Sequence, residues 1–139
     1  MKLPPYAELL GASVEQSPEA GPVLVMPFGD DVVGRPGFLH GGAIAGLLEM
    51  AGIAALRHAL REQTAGTHGE DGGDGALPRI TPINVTIDFM RGGRDKPTRA
   101  AGTITRLGAR IANVEATAWQ DDPSRPIAGA RLNYLIDRE

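Results

Sequence analysis

One stretch constrains this chain more than any other. Residues 40 to 62, HGGAIAGLLEMAGIAALRHALRE, are the one long helical candidate, and between Gly41 and Leu56 the only charged side chain is Glu49. Apolar or small residues surround that segment on every face, so the pattern predicts a buried helix and not a surface amphipathic one. Gly42, Gly46 and Gly52 each cost about 1 kcal/mol of helix propensity relative to Ala, which makes sense if something packs close to the backbone. A central helix wrapped by a sheet would do that.

The rest of the sequence supplies the sheet. Pro4 and Pro5 before a short apolar run that ends at Gly11 predict a helix of one or two turns. Two short segments flanking the turn 17–22, the second being Val23-Leu24-Val25-Met26, read as a hairpin, and residues 29–39 as a loop. Residues 63–76, QTAGTHGEDGGDGA, read as a mobile loop. From Leu77 onward the period is two. Ile83, Val85, Ile87 and Phe89 alternate with Asn84, Thr86, Asp88 and Met90, which predicts a strand with one face in a core. Three more strands follow over 98–107, 110–120 and 127–136, and their short connections, with a turn at Gly92-Gly93, predict an antiparallel meander. The fold class is α+β, with five or six strands curled round one helix. A single sheet and one helix leave a strand edge uncovered, which self-association would cover.

Composition narrows the function. At 139 residues the chain is one domain with no room for a second core. The absence of Cys excludes disulfides, thiolate metal sites and a cysteine nucleophile, and three scattered His argue against a His-rich metal site. No cofactor or metal is expected. A net charge of -3 argues against a general nucleic-acid binder. No apolar run reaches the roughly 18 residues of a membrane span, and the start MKLPPYAELL lacks the features of a signal peptide. The expectation is a soluble, cytoplasmic protein without membrane or nucleic-acid partners.

Glu49 is the most informative residue. A carboxylate in an apolar helix needs a partner, a raised pKa or a function, and its i−4 and i+4 neighbours, Ala45 and Ile53, offer no cation. The alternative is a Glu that points to solvent from an imperfectly buried helix. His40, Gly41 and Gly42 stand where the helix begins. There, unpaired N–H groups and the positive end of the helix dipole suit a developing oxyanion. His40 and Glu49 are nine residues apart, roughly 13 Å along a helix axis. One helix cannot bring both ends together, so a site that uses both needs two antiparallel helices from two protomers.

The run HGGAIAGLLEMAG, residues 40–52, resembles the HGGxxxxLx[DE] helix of hotdog-fold acyl-CoA thioesterases of the phenylacetic-acid-degradation type. INVTIDFMRGG, TRAAGTITRLGARIANVEATAW and IAGARLNYLI resemble that family's sheet in order and spacing, so the likeness spans about residues 28 to 136. It implies a hotdog fold, a homodimer or dimer of dimers, and hydrolysis of an acyl-CoA thioester. In this reading Gly41 offers its N–H to the thioester carbonyl, and Glu49 from the partner subunit is general base or nucleophile.

Three positions depart from the family pattern. Gly34 stands where many relatives carry Asn or Gln, Ile53 where some carry Thr or Ser, and Pro82 where a Ser or Thr is usual, with Thr81 one position away. A basic cluster, Arg91, Arg94, Lys96, Arg99, Arg106 and Arg110 against Asp95, suits the phosphates of coenzyme A, and the resemblance singles out Arg91, Arg94 and Arg110. Two rival readings are an acyl-CoA binding module that has lost the chemistry, and a dehydratase that would use His40. The acyl group stays open between a short aromatic and a medium aliphatic chain.

Overall fold

A computed structural model of the chain describes residues 2–15, 21–68 and 77–138. The elements in chain order are α1 (Tyr6–Leu10), β1 (Ser13–Glu15), β2 (Val23–Met26), α2 (Gly41–His68), β3 (Arg79–Phe89), β4 (Thr98–Leu107), β5 (Ile111–Trp119) and β6 (Ala128–Asp137). This is the α+β hotdog arrangement: one long helix against a six-stranded antiparallel sheet of order β1-β2-β4-β5-β6-β3.

The helix sits close to the sheet because the facing side chains are small. On β5 and β6 every second residue is buried, and Ala100, Ala112, Ala116, Ala118, Ala128 and Ala130 make much of that floor. Leu47, Leu48 and Leu56 of α2 close on it with no exposure, each contributing about 1.5–3 kcal/mol of apolar burial. A close approach is at Gly102 of β4. A Cβ there would lie 2.9 Å from the Cβ of Ala55 and 3.1 Å from the carbonyl oxygen of Ala51. At two glycines of α2 something does pack close to the helix backbone, as the sequence suggests: Gly46 makes room for the ring of Tyr6 and Gly52 for the hydroxyl of Tyr134, so what approaches is a side chain and not strand backbone.

Four expectations need correction. The helix is not buried on every face, since Ala45, Glu49, Ile53 and Arg57, spaced by four, form a half-exposed stripe. It also runs on to His68, through the first six residues of the predicted loop, with residues 69–76 outside those described. Nor is α2 short of membrane-spanning apolarity, because Gly41–Gln63 has the length and composition for it, but 67% of its most apolar window is buried inside the fold. Last, only β4, β5 and β6 form a meander.

The segment after β3 does not turn back as a hairpin. Met90 and Arg91 donate their N–H groups to the carbonyl of Ile127, and Arg94 donates to Oε1 of Gln120 at 2.9 Å. The chain thus crosses the ends of β6 and β5 to reach β4. Residues 90–97 suffice for this, because three strand spacings are about 14 Å and eight extended residues reach about 26 Å. A short connection therefore did not imply adjacent strands.

As a result β3 is an edge strand, paired among the described residues with β6 alone. The register shifts between Pro82 and Asn84, which leaves Ile83 as the extra residue of a bulge. Beyond it Val85, Ile87 and Phe89 lie opposite Leu132, Ala130 and Ala128, on the α2 face, as the alternation predicts. Ile87 packs against the core, but the rest of this edge is open: Ile83, Val85, Phe89 and Met90 are 41–57% exposed. On the other face Asn113 donates to Asn133 at 2.5 Å and Asn133 donates to Asn84 at 2.7 Å, a row of amides that ties the edge strand into the sheet.

Candidate active site

The beginning of α2 is built by His40. Its backbone N–H donates to the carbonyl of Val32, its carbonyl accepts from Ala43 and Ile44, and its Nδ1 accepts the N–H of Gly42 at 2.8 Å. His40 is therefore a side-chain N-cap, with its remaining ring proton on Nε2 if the imidazole is neutral. A Cβ on Gly42 would lie 3.0 Å from that Nδ1, so glycine is what lets the ring fold back. The two glycines thereby separate in role. The amide of Gly42 is occupied, whereas that of Gly41 has no partner among the described residues and lies at the positive end of the helix. The ring of Phe89, at the end of β3, lies beside it, 3.7 Å from where a Cβ of Gly41 would be.

Glu49 is half-buried on the open stripe of α2, between Ala45 and Ile53, and makes no hydrogen bond or ion pair among the described residues. It is neither sealed in the core nor held in bulk solvent. Eight residues of helix put it about 12 Å beyond Gly41, too far for the two to share one reacting atom within one chain. Near it, on β6, stands a residue that the sequence did not single out. Tyr134 is 1% exposed, and its hydroxyl has no hydrogen-bond partner among the described residues. Burial, with a further push from the charge of Glu49, holds its proton on well above the ordinary phenol range.

The arginines do not form one patch. Arg91 donates to the carbonyl of Pro126 at 2.7 Å, and Arg94 lies 4.3 Å from the centre of the Phe38 ring, as does Arg35. Arg91 and Arg94, with Lys96, Arg125, Asp121 and Asp122, border an open cleft of about 350 Å³ close to the start of α2, where Leu39 donates to the carbonyl of Gly93. Arg110 is at the other end of the sheet, beside Ile136, because β4 carries the chain about 30 Å between them. Of the other basic residues, Lys96 is paired with Asp121 at 2.9 Å and Arg99 with Glu15 at 3.1 Å. Thr81 is opposite the exposed Leu135, on the sheet face away from α2, and it is Pro82, opposite the buried Tyr134, that shares a face with the helix.

Comparison with known proteins decides the family. Residues 36–127, well over half of the chain, match the sequence profile of the thioesterase superfamily. The chain belongs to the thioesterase superfamily. Among its relatives is the medium/long-chain acyl-CoA thioesterase YigI of Salmonella typhimurium, 27% identical over 135 residues, which cover 95% of this chain and 85% of that one. Among solved structures, a Chromobacterium violaceum protein is 27% identical with a TM-score of 0.66, over 96% of this chain and 84% of that one. A thioesterase-superfamily-related protein from Shewanella oneidensis has the same fold at 20% identity, with a TM-score of 0.79, over 96% of this chain and 87% of its own.

Within this thioesterase fold the departures at positions 34 and 82 have local reasons. A Cβ on Gly34 would be 3.1 Å from Cα of His40, so the loop 29–39 packs its backbone directly on the N-cap and leaves no room for an amide side chain. Pro82 immediately precedes the bulge, where a missing N–H is tolerated. Ile53 continues the open stripe as an aliphatic side chain.

Proposed function

We propose that this protein hydrolyses the thioester of a coenzyme A ester to the free acid and CoA, at a site that Glu49 of one protomer forms with Gly41 of the partner subunit. One separation carries the reading. The free amide and the unpaired carboxylate belong to the same helix yet stand about 12 Å apart, so they can act together only across two antiparallel helices. The apolar edge of β3 supplies the means. If two copies pair their β3 strands antiparallel about a two-fold near Val85, the Phe89 end, beside Gly41, meets the 81–82 end, which is level with Tyr134 and Glu49. Such a pairing also covers Ile83, Val85, Phe89 and Met90. The assembly is then a homodimer, or a dimer of such dimers.

The chemistry follows from the two groups. The carbonyl oxygen faces the Gly41 N–H, where the dipole of α2 stabilises the charge it gains. Glu49 takes a proton from water as the water oxygen bonds to the carbonyl carbon. Collapse breaks the carbon–sulfur bond, and the CoA sulfur leaves with that proton. Equally balanced is direct attack by the carboxylate, expelling the thiolate and leaving an anhydride that water then opens. His40 orients the amide as its cap, and the engagement of Nδ1 with Gly42 weighs against the dehydratase reading.

Arg91 and Arg94, with Arg35 beside them, adjoin the amide end of α2 and suit the phosphates of coenzyme A. Arg110 stands apart from them and would serve only if another protomer brought it near. Ala45 and Ile53 flank Glu49 with aliphatic surface, and the activity for which the YigI relatives are named favours a medium or long acyl chain. A cytoplasmic setting fits that substrate. The missing hydroxyls at Ile53 and Pro82 favour one rival, a module that binds acyl-CoA without cleaving it. Release of free thiol from dodecanoyl-CoA by wild type and by Glu49→Ala separates the two. Turnover by wild type that Glu49→Ala loses supports the hydrolase. Equal turnover removes Glu49 from the mechanism, and tight binding with no thiol release supports the module.

A further inference from the structure

The hydroxyl of Tyr134 is an exception to the rule that buried polar groups are paired, and such an exception calls for a reason. Replacing it by hydrogen would remove a desolvated group that contributes no bond, so stability alone would favour Phe at this position. The sequence instead pairs it with Gly52. A Cβ on Gly52 would lie 2.9 Å from the hydroxyl oxygen, so the tyrosine tip fills the volume that a side chain at 52 would take. On a helix that volume leans toward the N-terminus, over the preceding turn. The preceding turn carries Glu49, three residues earlier and on a neighbouring line of the helix surface.

We propose that Tyr134 is the positioning residue for Glu49: its hydroxyl donates to the carboxylate when substrate and the second copy close the groove, fixing the carboxylate toward the thioester. The proposal rests on the reading of Glu49 as the acting carboxylate. The surroundings single out this pair. The residues that share a face with Tyr134 on the neighbouring strands, Pro82 and Ala112, are uncharged, as are Leu132 and Ile136 on its own strand. Other titratable groups on these elements are Glu8 of α1, Arg79 and Asp88 at the two ends of β3, Arg131 and Asp137 on the opposite face of β6, and His58, Arg61, Glu62 and Arg57 further along α2, the last with its Nη1 donating to the carbonyl of Lys2 at 2.8 Å. Glu49 is the carboxylate whose charge reaches the phenol.

The test compares wild type, Tyr134→Phe and Glu49→Gln as full-length proteins with dodecanoyl-CoA. Tyr134→Phe is expected to keep the wild-type Tm or exceed it and to leave KM within about twofold. Its kcat should fall by about tenfold or more, since a hydrogen bond to a charged group is lost. The acidic limb of its kcat profile, which reports the substrate complex, should move to higher pH, because there a carboxylate without its donor holds its proton more tightly. A folded Tyr134→Phe with wild-type kcat and an unmoved acidic limb overturns the proposal. If Glu49→Gln also turns over at the wild-type rate, the reading of Glu49 falls with it; if Glu49→Gln is inactive, only the role of Tyr134 falls. Should the Phe variant not fold, 3-fluorotyrosine at 134 keeps the shape and strengthens the donor. The limb should then move to lower pH, and an unmoved limb again overturns the proposal.

Discussion

Nδ1 of His40 accepts the N–H of Gly42 at 2.8 Å, and this one bond divides the amides at the start of α2 into one that is used and one that is free. A ring that caps a helix is defined by its acceptor, whereas a ring that transfers protons must exchange them. His40→Asn keeps an acceptor suited to an N-cap and should retain most stability and activity. His40→Ala should lose about 1 kcal/mol, read as a lower denaturation midpoint, with a partial loss of kcat as the Gly41 amide loosens. Asn and Ala variants that are equally inactive would instead mark the imidazole as a participant in proton transfer.

The free amide can be deleted almost alone. Gly41 is the first helical residue, a position where Pro is well tolerated because the N–H has no intrahelical partner. Gly41→Pro should therefore fold with a Tm near that of wild type. Its kcat should drop by about 10²–10³-fold, the usual cost of losing one oxyanion donor. Steady-state hydrolysis beside a thermal melt measures both, and retained kcat would take Gly41 out of the site.

Close packing between helix and sheet has its own test at Gly102. Elsewhere in a strand an Ala would be a gain over Gly, but here the new methyl would meet Ala55 at 2.9 Å and the backbone oxygen of Ala51 at 3.1 Å. Gly102→Ala should destabilise by about 1–3 kcal/mol through overpacking. Gly29→Ala, which would meet nothing within 4 Å, is the matched control and should be near neutral in denaturant titration.

How much of this was legible beforehand follows from what each signal measures. Hydrophobic period reports which face of an element is apolar, so the strands over 98–107 and 127–136 and the face shared by Val85, Ile87 and Phe89 could be read from the residues. It carries no information on which strand is a neighbour, and so the crossing of residues 90–97 past β6 and β5 was missed. The same limit hid the division of the arginines, because Arg94 and Arg110 are near in sequence but at opposite ends of the sheet. For Glu49 the composition of the helix left burial and exposure both open, and the i, i+4 line through Ala45 and Ile53 becomes a surface only once α1 and the sheet have covered the other faces. Tyr134 gave no signal, since a Tyr at an inward position of a strand looks like ordinary core. The available hint was Gly52, a helix-interior glycine that marks a neighbour needing its space.

Tyr134 also makes a pH prediction independent of catalysis. Its proton is held on above the ordinary phenol value of 10.0 in the folded state, by burial first and the charge of Glu49 second. Above about pH 10 the unfolded chain releases this proton while the folded chain retains it, so the folded state binds more protons and stability falls as pH rises. The slope from this one group is at most about 1.4 kcal/mol per pH unit. Urea denaturation between pH 9 and 11 should show that decline in wild type and a shallower one in Tyr134→Phe. Parallel curves would mean that the phenol reaches solvent.

The composite site can be tested by mixing two inactive proteins. Glu49→Ala lacks the carboxylate in both sites of a homodimer, and Gly41→Pro lacks the amide in both. When the two are unfolded together and refolded, half of the dimers should be mixed on statistical grounds. Each mixed dimer has one site with both lesions and one with neither, because each site takes its carboxylate from one chain and its amide from the other. The mixture should therefore recover about a quarter of wild-type activity, if the dimers assemble without preference. A site contained in a single chain would recover none, since every site would keep its own lesion. Val85→Asp, which places a carboxylate on the strand edge that the dimer would cover, should abolish the recovery and move the sedimentation coefficient to that of a monomer.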